Sequence, residues 1–292
     1  MNACVSIIIP SLNEGDNLRK TVQSIQNTVT GDYEIIVVDN GSKDGSSDFL
    51  LESHGDPKIQ LYKTERLGSA RARNFGARRA VGDFLVFADA HVLCPSGWLS
   101  PLMNMFKDKD VAVVAPALSV WGNPASKGYG FRWKNYRMDV EWLALKRPEP
   151  YWVPMVGSGF MVIRRAVFDQ LEGFDEGMIN YGCEDAEICL RTWLHGFKIA
   201  IVPQIAVSHY FRSKHPYRVT WDDVLNNILR TAIAHFCRTR IDKVKRAITY
   251  IPGFHNAYHR VMKSDIWERR SQLYENRKYD DDWFFEKFDF AL

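Results

Sequence analysis

Runs of apolar, β-branched residues alternate along the chain with stretches in which apolar residues recur at helical spacing. The runs are continuously apolar, which is typical of strands that a sheet buries on both faces. Between them, residues 18–25 place apolar side chains on one helical face, Asp44 and Ser46 offer caps for a second helix, and residues 68–80 are predicted to form a third. The pattern predicts an α/β fold, with a sheet flanked by helices as in nucleotide-binding domains. Its first strands are predicted at residues 5–9, 33–39, 59–62, 84–89 and 111–114.

The same pattern continues into the second half of the chain. Strands are predicted at residues 159–163 and 198–202. A helix is predicted from Glu184 to His195, where Glu187 and Arg191 stand four residues apart and support each other on one helical face. The second half therefore extends the same sheet.

The character of the sequence changes after Pro216. Residues 224–236 carry an apolar stripe at helical spacing, followed by a basic segment and an aromatic, acidic tail. The simplest interpretation is a helix that packs on the core, with a membrane-surface or partner-binding role as the alternative. We expect a first domain over residues 1–218 and a helical, aromatic-rich extension over residues 219–292. The tail aromatics are expected to pack across a cleft or to form a contact between copies of an oligomer.

Composition narrows the class of protein. The 292 residues are 46% hydrophobic and 25% charged, which is typical of a folded globular chain, and no apolar run approaches the roughly eighteen residues of a membrane helix. The net charge of +3 is too small to indicate nucleic acid. The five cysteines have no CxxC spacing, so reduced thiols are expected rather than a disulfide framework. The amino terminus lacks the pattern of an export signal, so we expect a cytoplasmic protein.

Polar side chains at strand ends are the first candidates for chemistry, because open α/β sheets bind ligands beyond the carboxyl ends of their strands. Asp39 ends one predicted strand, with an Asx turn as the alternative explanation. Asp89 ends another and stands two residues before His91, so the pair offers one oxygen and one nitrogen ligand for a divalent cation. His209 follows a later strand and is the candidate third ligand, with a structural histidine as the alternative.

Basic residues accompany these candidate ligands. Arg212, Lys214 and Arg218 follow His209 and would neutralise phosphate oxygens that the metal leaves unpaired. In the third predicted helix, Gly68 permits close approach of the backbone, while Arg71 and Arg73 would approach a diphosphate. A solvated helix face is the alternative explanation for that segment. The combination is suited to a nucleoside diphosphate.

Two carboxylates, Glu184 and Asp185, stand at the start of a predicted helix after a glycine. Acidic residues at this position also stabilise the helix dipole, which is the alternative explanation. Facing a metal-bound sugar nucleotide, one carboxylate would hold hydroxyls and the other would take the proton of the attacking nucleophile.

Taken in order along residues 4–218, these motifs resemble a GT-A glycosyltransferase of the family 2 type. Within that superfamily they are similar to the polypeptide N-acetylgalactosaminyltransferases of family 27. The segments that carry the resemblance are VSIIIPSLNE, IIVVDNGSKDGS, RLGSARARNFGA, FADAHVLCPSGWLSPL, GSGFMVIRRAVFDQLEGFDEGM, YGCEDAEICLRTW and SHYFRSKHPY. The resemblance implies a GT-A fold, with a mixed Rossmann-like sheet, and a UDP-sugar as donor substrate.

The resemblance also implies roles for individual residues. It implies Mn²⁺, or Mg²⁺, on Asp89, His91 and His209, and Glu184 near the donor or acceptor hydroxyls. Gly157, Ser158 and Gly159 would border the sugar. The residues implied around the nucleotide and along the donor pocket are Pro10, Asn13, Glu14, Asp39, Arg66, Gly68 and Arg73, with Arg212 among the donor-binding residues.

One departure from family 27 concerns the chemistry. Those enzymes retain anomeric configuration and usually have asparagine where this chain has Asp185, whereas inverting family 2 enzymes use an aspartate there as base. We therefore expect an inverting transfer with Asp185 as base, to a hydroxyl or thiol of a peptide, protein or glycan. The alternatives are a retaining polypeptide N-acetylgalactosaminyltransferase-like enzyme, a nucleotidyltransferase, and a glycosyltransferase that acts on modified DNA bases. The last is suggested by a basic series at Arg230, Arg238, Arg240, Lys243, Lys245 and Arg246.

Overall fold

The computed structural model describes residues 4–52, 56–212 and 214–290. In these ranges the strands are β1 (Val5–Ser11), β2 (Tyr33–Asp39), β3 (Ile59–Lys63), β4 (Phe84–Ala88), β5 (Val92–Leu93), β6 (Val111–Val120), β7 (Asn123–Gly128), β8 (Phe131–Trp133), β9 (Val140–Trp142), β10 (Tyr151–Trp152), β11 (Phe160–Arg164) and β12 (Lys198–His209). The helices are α1 (Asn17–Thr28), α2 (Phe49–Glu52), α3 (Ser69–Ala77), α4 (Leu99–Asn104), α5 (Arg165–Gln170), α6 (Glu184–Leu194), α7 (Trp221–His235), α8 (Arg238–Ile248), α9 (Phe254–Met262), α10 (Ile266–Asn276) and α11 (Asp281–Lys287).

A mixed sheet forms the centre of the molecule. Its main path runs in the order β10-β12-β6-β11-β4-β1-β2-β3, with β5 paired to β12 and β7 paired to β6. The pairs β4-β1, β1-β2, β2-β3 and β6-β12 are parallel, whereas β11 is antiparallel to both β4 and β6. The carboxyl ends of β1, β2, β4 and β12 therefore meet at one edge of the sheet. The predicted α/β fold with a mixed sheet is confirmed.

Both faces of the sheet are covered, as the continuously apolar strands predicted. Along β1, Ile8 belongs to one buried cluster, while Ile7 and Ile9 belong to another on the opposite face. The first cluster joins the sheet to α3, α6 and the C-terminal helices, and the second joins it to α1 and α4. Burial of two large apolar faces is the main source of stability for such a layered fold.

Sequence patterns predicted which segments form strands more accurately than where those strands end. All seven predicted strands are present, but β6 and β12 extend several residues beyond the predicted runs, because their second halves pair with each other after an irregularity at Val202. The second predicted helix is reduced to the four residues of α2. Asp44 does not cap it, since its carboxylate accepts hydrogen bonds from the backbone N–H groups of Gly15 and Ser46. Short side-chain bonds of this kind compete with helix formation.

The helices α7–α11 pack on the sheet and on α6. The stripe predicted over residues 224–236 is buried in α7, and Trp133 of β8 contacts Phe236, Phe285 and Phe290. Trp193 of α6 forms ring contacts with Trp283 and Phe288 of the tail. The aromatic tail thus closes the core behind α6 and β8. In the part of the chain that the structure describes, no helix combines the length and apolar character needed to cross a membrane.

A buried ionic network joins α6 to α7. Glu187 accepts a hydrogen bond from Arg191 (2.7 Å) and lies 2.8 Å from Nε2 of His235, and all three side chains are almost fully buried. Arg191 also donates to the backbone carbonyls of Leu171 and Gly173. Since each charge has lost its water, its protein partners must replace that hydration.

We predict that Glu187→Gln lowers the free energy of unfolding by about 3–5 kcal/mol, because it leaves the Arg191 charge buried without a counter-charge. Guanidinium-induced unfolding measures the change. The control is Glu141→Gln, which breaks the exposed pair of Glu141 with Arg132 (2.8 Å) and is expected to cost less than about 1 kcal/mol. Equal losses in the two variants would contradict the prediction.

Candidate active site

A cavity of about 620 Å³ opens at the edge where the strand ends meet. Its walls come from the loops after β1 and β4, the start of α3, the turn before β11, the loop and first turn of α6, and the segment after β12. The β8-β9 hairpin and α7 complete it. Ligand sites in open α/β sheets lie at this edge.

Asp89, His91 and His209 converge in this cavity. One ligand atom from each lies within 4.8 Å of the other two, and His209 Nε2 is 3.3 Å from Asp89 Oδ2. Strand pairing explains the convergence: Asp89 directly follows β4, while β5, which begins just after His91, pairs antiparallel to the end of β12 at His209. The two histidine rings meet edge to face, with centroids 4.8 Å apart. Strand pairing thus brings His209 to two residues, Asp89 and His91, that are distant from it in sequence.

The charge state of Asp89 suits a metal ligand. Burial by itself would raise the pKa of Asp89, but the hydrogen bond from His209 and the charge of Arg73 lower it well below its usual range. Arg73 Nη2 donates to Asp89 Oδ1 at 2.7 Å, which leaves Oδ2 facing the histidines. The carboxylate is therefore ionised and oriented.

The space between these ligands depends on a glycine. A Cβ at Gly159 would stand 3.0 Å from Asp89 Oδ2 and 3.2 Å from His209 Nε2. The backbone of Gly159 is fixed there because its carbonyl accepts the N–H of Asp89 at 2.8 Å. One carboxylate oxygen and two imidazole nitrogens suit a divalent first-row metal and leave coordination positions for other oxygens. The residues present therefore fit a divalent cation.

A second group of potential ligands contrasts with this one. Cys237, Asp281 and Asp282 also come together in the described part of the chain. The Arg240 guanidinium already donates to Asp281 and Asp282, so a protein cation meets their charge. We assign no metal to this cluster.

Glu184 ties the acidic wall of the cavity to α3. Its carboxylate accepts hydrogen bonds from the Ser69 hydroxyl (2.6 Å) and from the backbone N–H of Gly182 (2.8 Å), and lies 3.4 Å from Arg73 Nη1. Arg73 thus links Glu184 to Asp89. Glu184 is only 5% exposed. The alternative predicted for it, a contribution to the helix start, is compatible with these contacts, since only Cys183 separates Gly182 from Glu184, the first residue of α6.

Asp185 has a different environment. Its carboxylate lies in the cavity near Gly157, where a Cβ would stand 3.9 Å from Asp185 Oδ2. Removal from water raises the pKa of Asp185 to about 7, and the neighbouring Glu184 carboxylate adds to the rise. A carboxylate with this pKa takes up a proton readily near neutral pH.

Glu14 and Arg212 lie beside His91 in the wall of the cavity. Arg212 donates to Glu14 and lies 3.1 Å from Nδ1 of His91, which is itself 3.3 Å from Glu14 Oε2. The segment after β12 is thereby joined to the end of β1. Arg212 is the basic residue following His209 that the structure places in the cavity wall beside the candidate ligands.

Most of the other predicted site residues also line the cavity. Pro10, Arg66 and Gly68 do, as do Ser158 and Gly159. Asn13 and Asp39 are not among the lining residues: Asn13 accepts the N–H of Lys43 (2.8 Å), and Asp39 accepts the N–H of Ser42 (2.8 Å). Both side chains hold the loop after β2. The bond that Asp39 accepts comes from the third residue along the chain, whereas an Asx turn uses the second. Contact of the two side chains with a nucleotide stays a prediction.

Arg71 does not approach the cavity. Its Nε donates to the carbonyl of Glu176 at 2.8 Å, on the outer side of α3. Helical geometry separates it from Arg73, because residues two apart on a helix face different directions.

Sequence reasoning missed part of the lining. Tyr181, His215 and Tyr217 line the cavity with their rings in tilted contact. The ring centroids are 4.5 Å apart for Tyr181 and His215 and 5.3 Å apart for His215 and Tyr217. Trp142 of the β8-β9 hairpin and Trp221 of α7 also line it. Aromatic residues occur throughout this chain, so no local signal distinguished these from core residues.

Comparison with known proteins places the chain in a family. A model described as glycosyl transferase family 2 matches residues 6–172, and a model described as the N-terminal domain of galactosyltransferase matches residues 137–216. This chain belongs to glycosyl transferase family 2. The family assignment predicted from the strand-end motifs is confirmed.

Curated relatives are polypeptide N-acetylgalactosaminyltransferases. The chain is 34% identical over 230 residues to polypeptide N-acetylgalactosaminyltransferase 14 of Homo sapiens, covering 73% of this chain and 41% of that protein. It is 32% identical over 251 residues to polypeptide N-acetylgalactosaminyltransferase 11 of Xenopus tropicalis, covering 78% and 42%. The chain thus spans about two fifths of the length of the curated relatives it matches.

Solved structures share the fold. A crystal structure of GalNAc-T7 with UDP, GalNAc and Mn²⁺ superposes with a TM-score of 0.81 at 23% identity, covering 98% of this chain and 56% of that one. The mannosyltransferase PcManGT from Pyrobaculum calidifontis, solved with GDP-Man and Mn²⁺, gives a TM-score of 0.58 at 17% identity, covering 94% of this chain and 74% of that one. The GT-A fold implied by the sequence motifs is confirmed.

We predict that Gly159→Ala weakens Mn²⁺ binding by about 10–100-fold, the range seen when groups that support metal ligands are altered. The added methyl group would press on Asp89 Oδ2 and His209 Nε2. Titration of Mn²⁺, followed by calorimetry or by the electron paramagnetic resonance of the free ion, gives the affinity.

Gly157→Ala is the matched control, because the nearest atom to its new methyl group is 3.7 Å away, an ordinary contact. It should bind Mn²⁺ like the wild type. Unchanged Mn²⁺ affinity in Gly159→Ala would show that the cation does not lie between these ligands.

Proposed function

We propose that this chain is a metal-dependent glycosyltransferase that moves a sugar from a UDP-sugar to an acceptor hydroxyl of a peptide, protein or glycan. The observation that carries the proposal is the convergence of Asp89, His91 and His209 within 4.8 Å in a cavity that also holds Asp185. Membership of glycosyl transferase family 2 supports the reaction type.

The relatives support the donor and the cation. The GalNAc-T7 structure contains UDP, GalNAc and Mn²⁺, and the PcManGT structure contains GDP-Man and Mn²⁺. The curated relatives are named as polypeptide N-acetylgalactosaminyltransferases. UDP-GalNAc is therefore the first donor to test, and a peptide hydroxyl the first acceptor.

The residues around the proposed cation have separate roles. Asp89, His91 and His209 would hold Mn²⁺, which when bound would neutralise the diphosphate of the leaving group. Arg212, beside His91, would pair with phosphate oxygens in exchange for its contact with Glu14. Pro10, Arg66 and Gly68 line the part of the cavity that would receive the nucleotide.

Asp185 is the proposed base of an inverting transfer. The acceptor oxygen would form a bond to the anomeric carbon while the bond from that carbon to the diphosphate oxygen breaks, and the acceptor proton would pass to Asp185. Glu184 keeps its bonds to Ser69 and Gly182 and would contact sugar hydroxyls from that fixed position. A retaining outcome, as implied for family 27, is the alternative, and the anomeric configuration of the product distinguishes the two.

Two arginines of the basic series that suggested DNA as the acceptor are paired with carboxylates of the protein. Arg230 is buried between Asp175 (2.6 Å) and Asp265 (2.7 Å), and Arg240 pairs with Asp281 and Asp282. These two members of the basic series thus already have protein counter-charges. No comparable observation favours a nucleotidyltransferase.

We predict that UDP release from one or more of UDP-GalNAc, UDP-GlcNAc, UDP-glucose and UDP-galactose requires Mn²⁺. A coupled assay for UDP, run with Mn²⁺ and with EDTA, identifies the donor. EDTA should abolish turnover and added Mn²⁺ should restore it, because the leaving diphosphate would lose its counter-charge without the ion. Turnover that is equal with EDTA would exclude a metal-dependent reaction.

We predict that Asp185→Asn lowers kcat for transfer by about 100-fold or more, while the dissociation constant for the donor changes little, because an amide cannot take up the acceptor proton. Transfer kinetics and calorimetric titration of UDP give the two quantities. Asp139→Asn is the control, since Asp139 lies on another wall of the same cavity and bonds to Asn135 at 2.9 Å.

The pH profile is an independent measure of the same residue. A base must be unprotonated, so wild-type kcat should fall as the pH drops below about 7, where Asp185 gains its proton. Strong residual turnover in Asp185→Asn, or a profile that is flat from pH 6 to pH 8, would remove Asp185 as the base.

A further inference from the structure

Asn227 of α7 holds the loop that leads into α6. The side chain is 1% exposed. Its Oδ1 accepts the backbone N–H of Ile179 at 2.8 Å, and its Nδ2 donates to the carbonyls of Ile179 (2.9 Å), Gly182 (2.9 Å) and Tyr181 (3.3 Å). One buried amide thus replaces the hydration of four backbone groups in a loop of four residues.

The backbone of this loop is in a costly conformation. Asn180 (φ 50°), Gly182 (φ 102°) and Cys183 (φ 68°) all have left-handed backbone angles. Asparagine and glycine tolerate this region, but a cysteine there is disfavoured. A conformation of this kind persists only where surrounding contacts impose it. The bonds from Asn227 are such contacts.

The loop is held on its other side by α3. The Asn180 carbonyl accepts the N–H of Ser69 at 2.7 Å. Gly68 permits this approach, since a Cβ there would stand 3.0 Å from the Asn180 backbone nitrogen. The loop therefore lies between the start of α3 and the side of α7.

The same loop places the acidic residues of the cavity. Gly182 donates its N–H to Glu184, and after Cys183 the helix α6 begins with Glu184 and Asp185. Asp223, one turn before Asn227 on α7, adds a hydrogen bond from Asn180 Nδ2 at 2.6 Å. The described hydrogen bonds of Asn227 and Asp223 thus reach this loop, and none of them reaches Asp89, His91 or His209.

We propose that Asn227 is a positioning residue for the sugar transfer, acting through the loop 179–182 on Glu184 and Asp185. This inference rests on the proposed function. It also assigns part of the site to the helical extension that the sequence set apart from the first domain. Asn227 is not among the residues that line the cavity, and its described hydrogen bonds do not reach the candidate metal ligands. Its loss should therefore slow the reaction without weakening the binding of the cation.

The test compares the Asn227→Ala and Thr231→Ala variants of the whole chain. Thr231 is fully buried one turn further along α7, and its hydroxyl donates to the Asn227 carbonyl within the helix. It controls for a general loss of stability in α7. Asn227→Ala should lower kcat by about 100-fold, the loss that a misplacement of about 1 Å produces. The affinities for Mn²⁺ and for UDP, which lacks the sugar, should stay close to those of the wild type.

Hydrogen exchange gives a readout that does not depend on activity. The amides of residues 179–183 should exchange faster in Asn227→Ala than in the wild type, with β1 and β4 unchanged, and Thr231→Ala should keep the wild-type pattern in the loop. Equal kcat in the two variants, or unchanged exchange at residues 179–183, would overturn the proposal.

A second variant covers the case in which Asn227→Ala does not fold. Asp223→Asn keeps the size of the side chain, which is 11% exposed, and weakens its bond to Asn180. It should give a smaller loss of kcat, again with Mn²⁺ affinity unchanged; wild-type kcat in this variant would then overturn the proposal. If the wild type releases UDP from no donor, the proposed function fails, whereas exchange in residues 179–183 still decides whether Asn227 orders the loop.

Discussion

The repulsion between carboxylates gathered around one cavity is the constraint that organises this structure. Glu14, Asp89, Glu184 and Asp185 approach one another because the strands and helices that carry them end at the same edge of the sheet. Two arginines offset the repulsion: Arg73 links Asp89 to Glu184, and Arg212 pairs with Glu14. Burial raises the pKa of Asp185, the neighbouring Glu184 carboxylate adds to the rise, and the charge of Arg73 offsets only part of it. A bound divalent cation would supply the remaining positive charge.

This arrangement separates two kinds of carboxylate. Asp89 is held ionised by His209 and Arg73 and faces the space left by Gly159, which suits a ligand. Asp185 gains its proton near neutral pH, which suits a base. Two chemically identical groups thus have opposite pKa shifts, which suit the two different roles proposed for them.

The scaffold beneath the site depends on groups outside the nucleotide-binding layout. Asn227 forms hydrogen bonds with the loop before α6, and the Glu187 network joins α6 to α7. Both contacts are buried, so each is costly to break. The candidate site residues and the residues that hold them in place therefore lie on different parts of the chain. The proposed role of Asn227 follows from that separation.

The sequence by itself determined the seven central strands, the helical stripe of α7 and the candidate ligands Asp89, His91 and His209, because strand burial and strand ends leave local patterns. It wrongly predicted that Arg71 approaches the cavity and that Asp44 caps a helix, since the sequence does not show which partner a polar side chain binds. Glu187 and Arg191 are spaced like any pair that supports a helix, and only the packed structure shows them buried against His235. The clamp by Asn227 likewise joins segments 45–48 residues apart, and such hydrogen bonds have no periodicity along the chain. Tertiary structure decided them because they form only where folding brings two surfaces together.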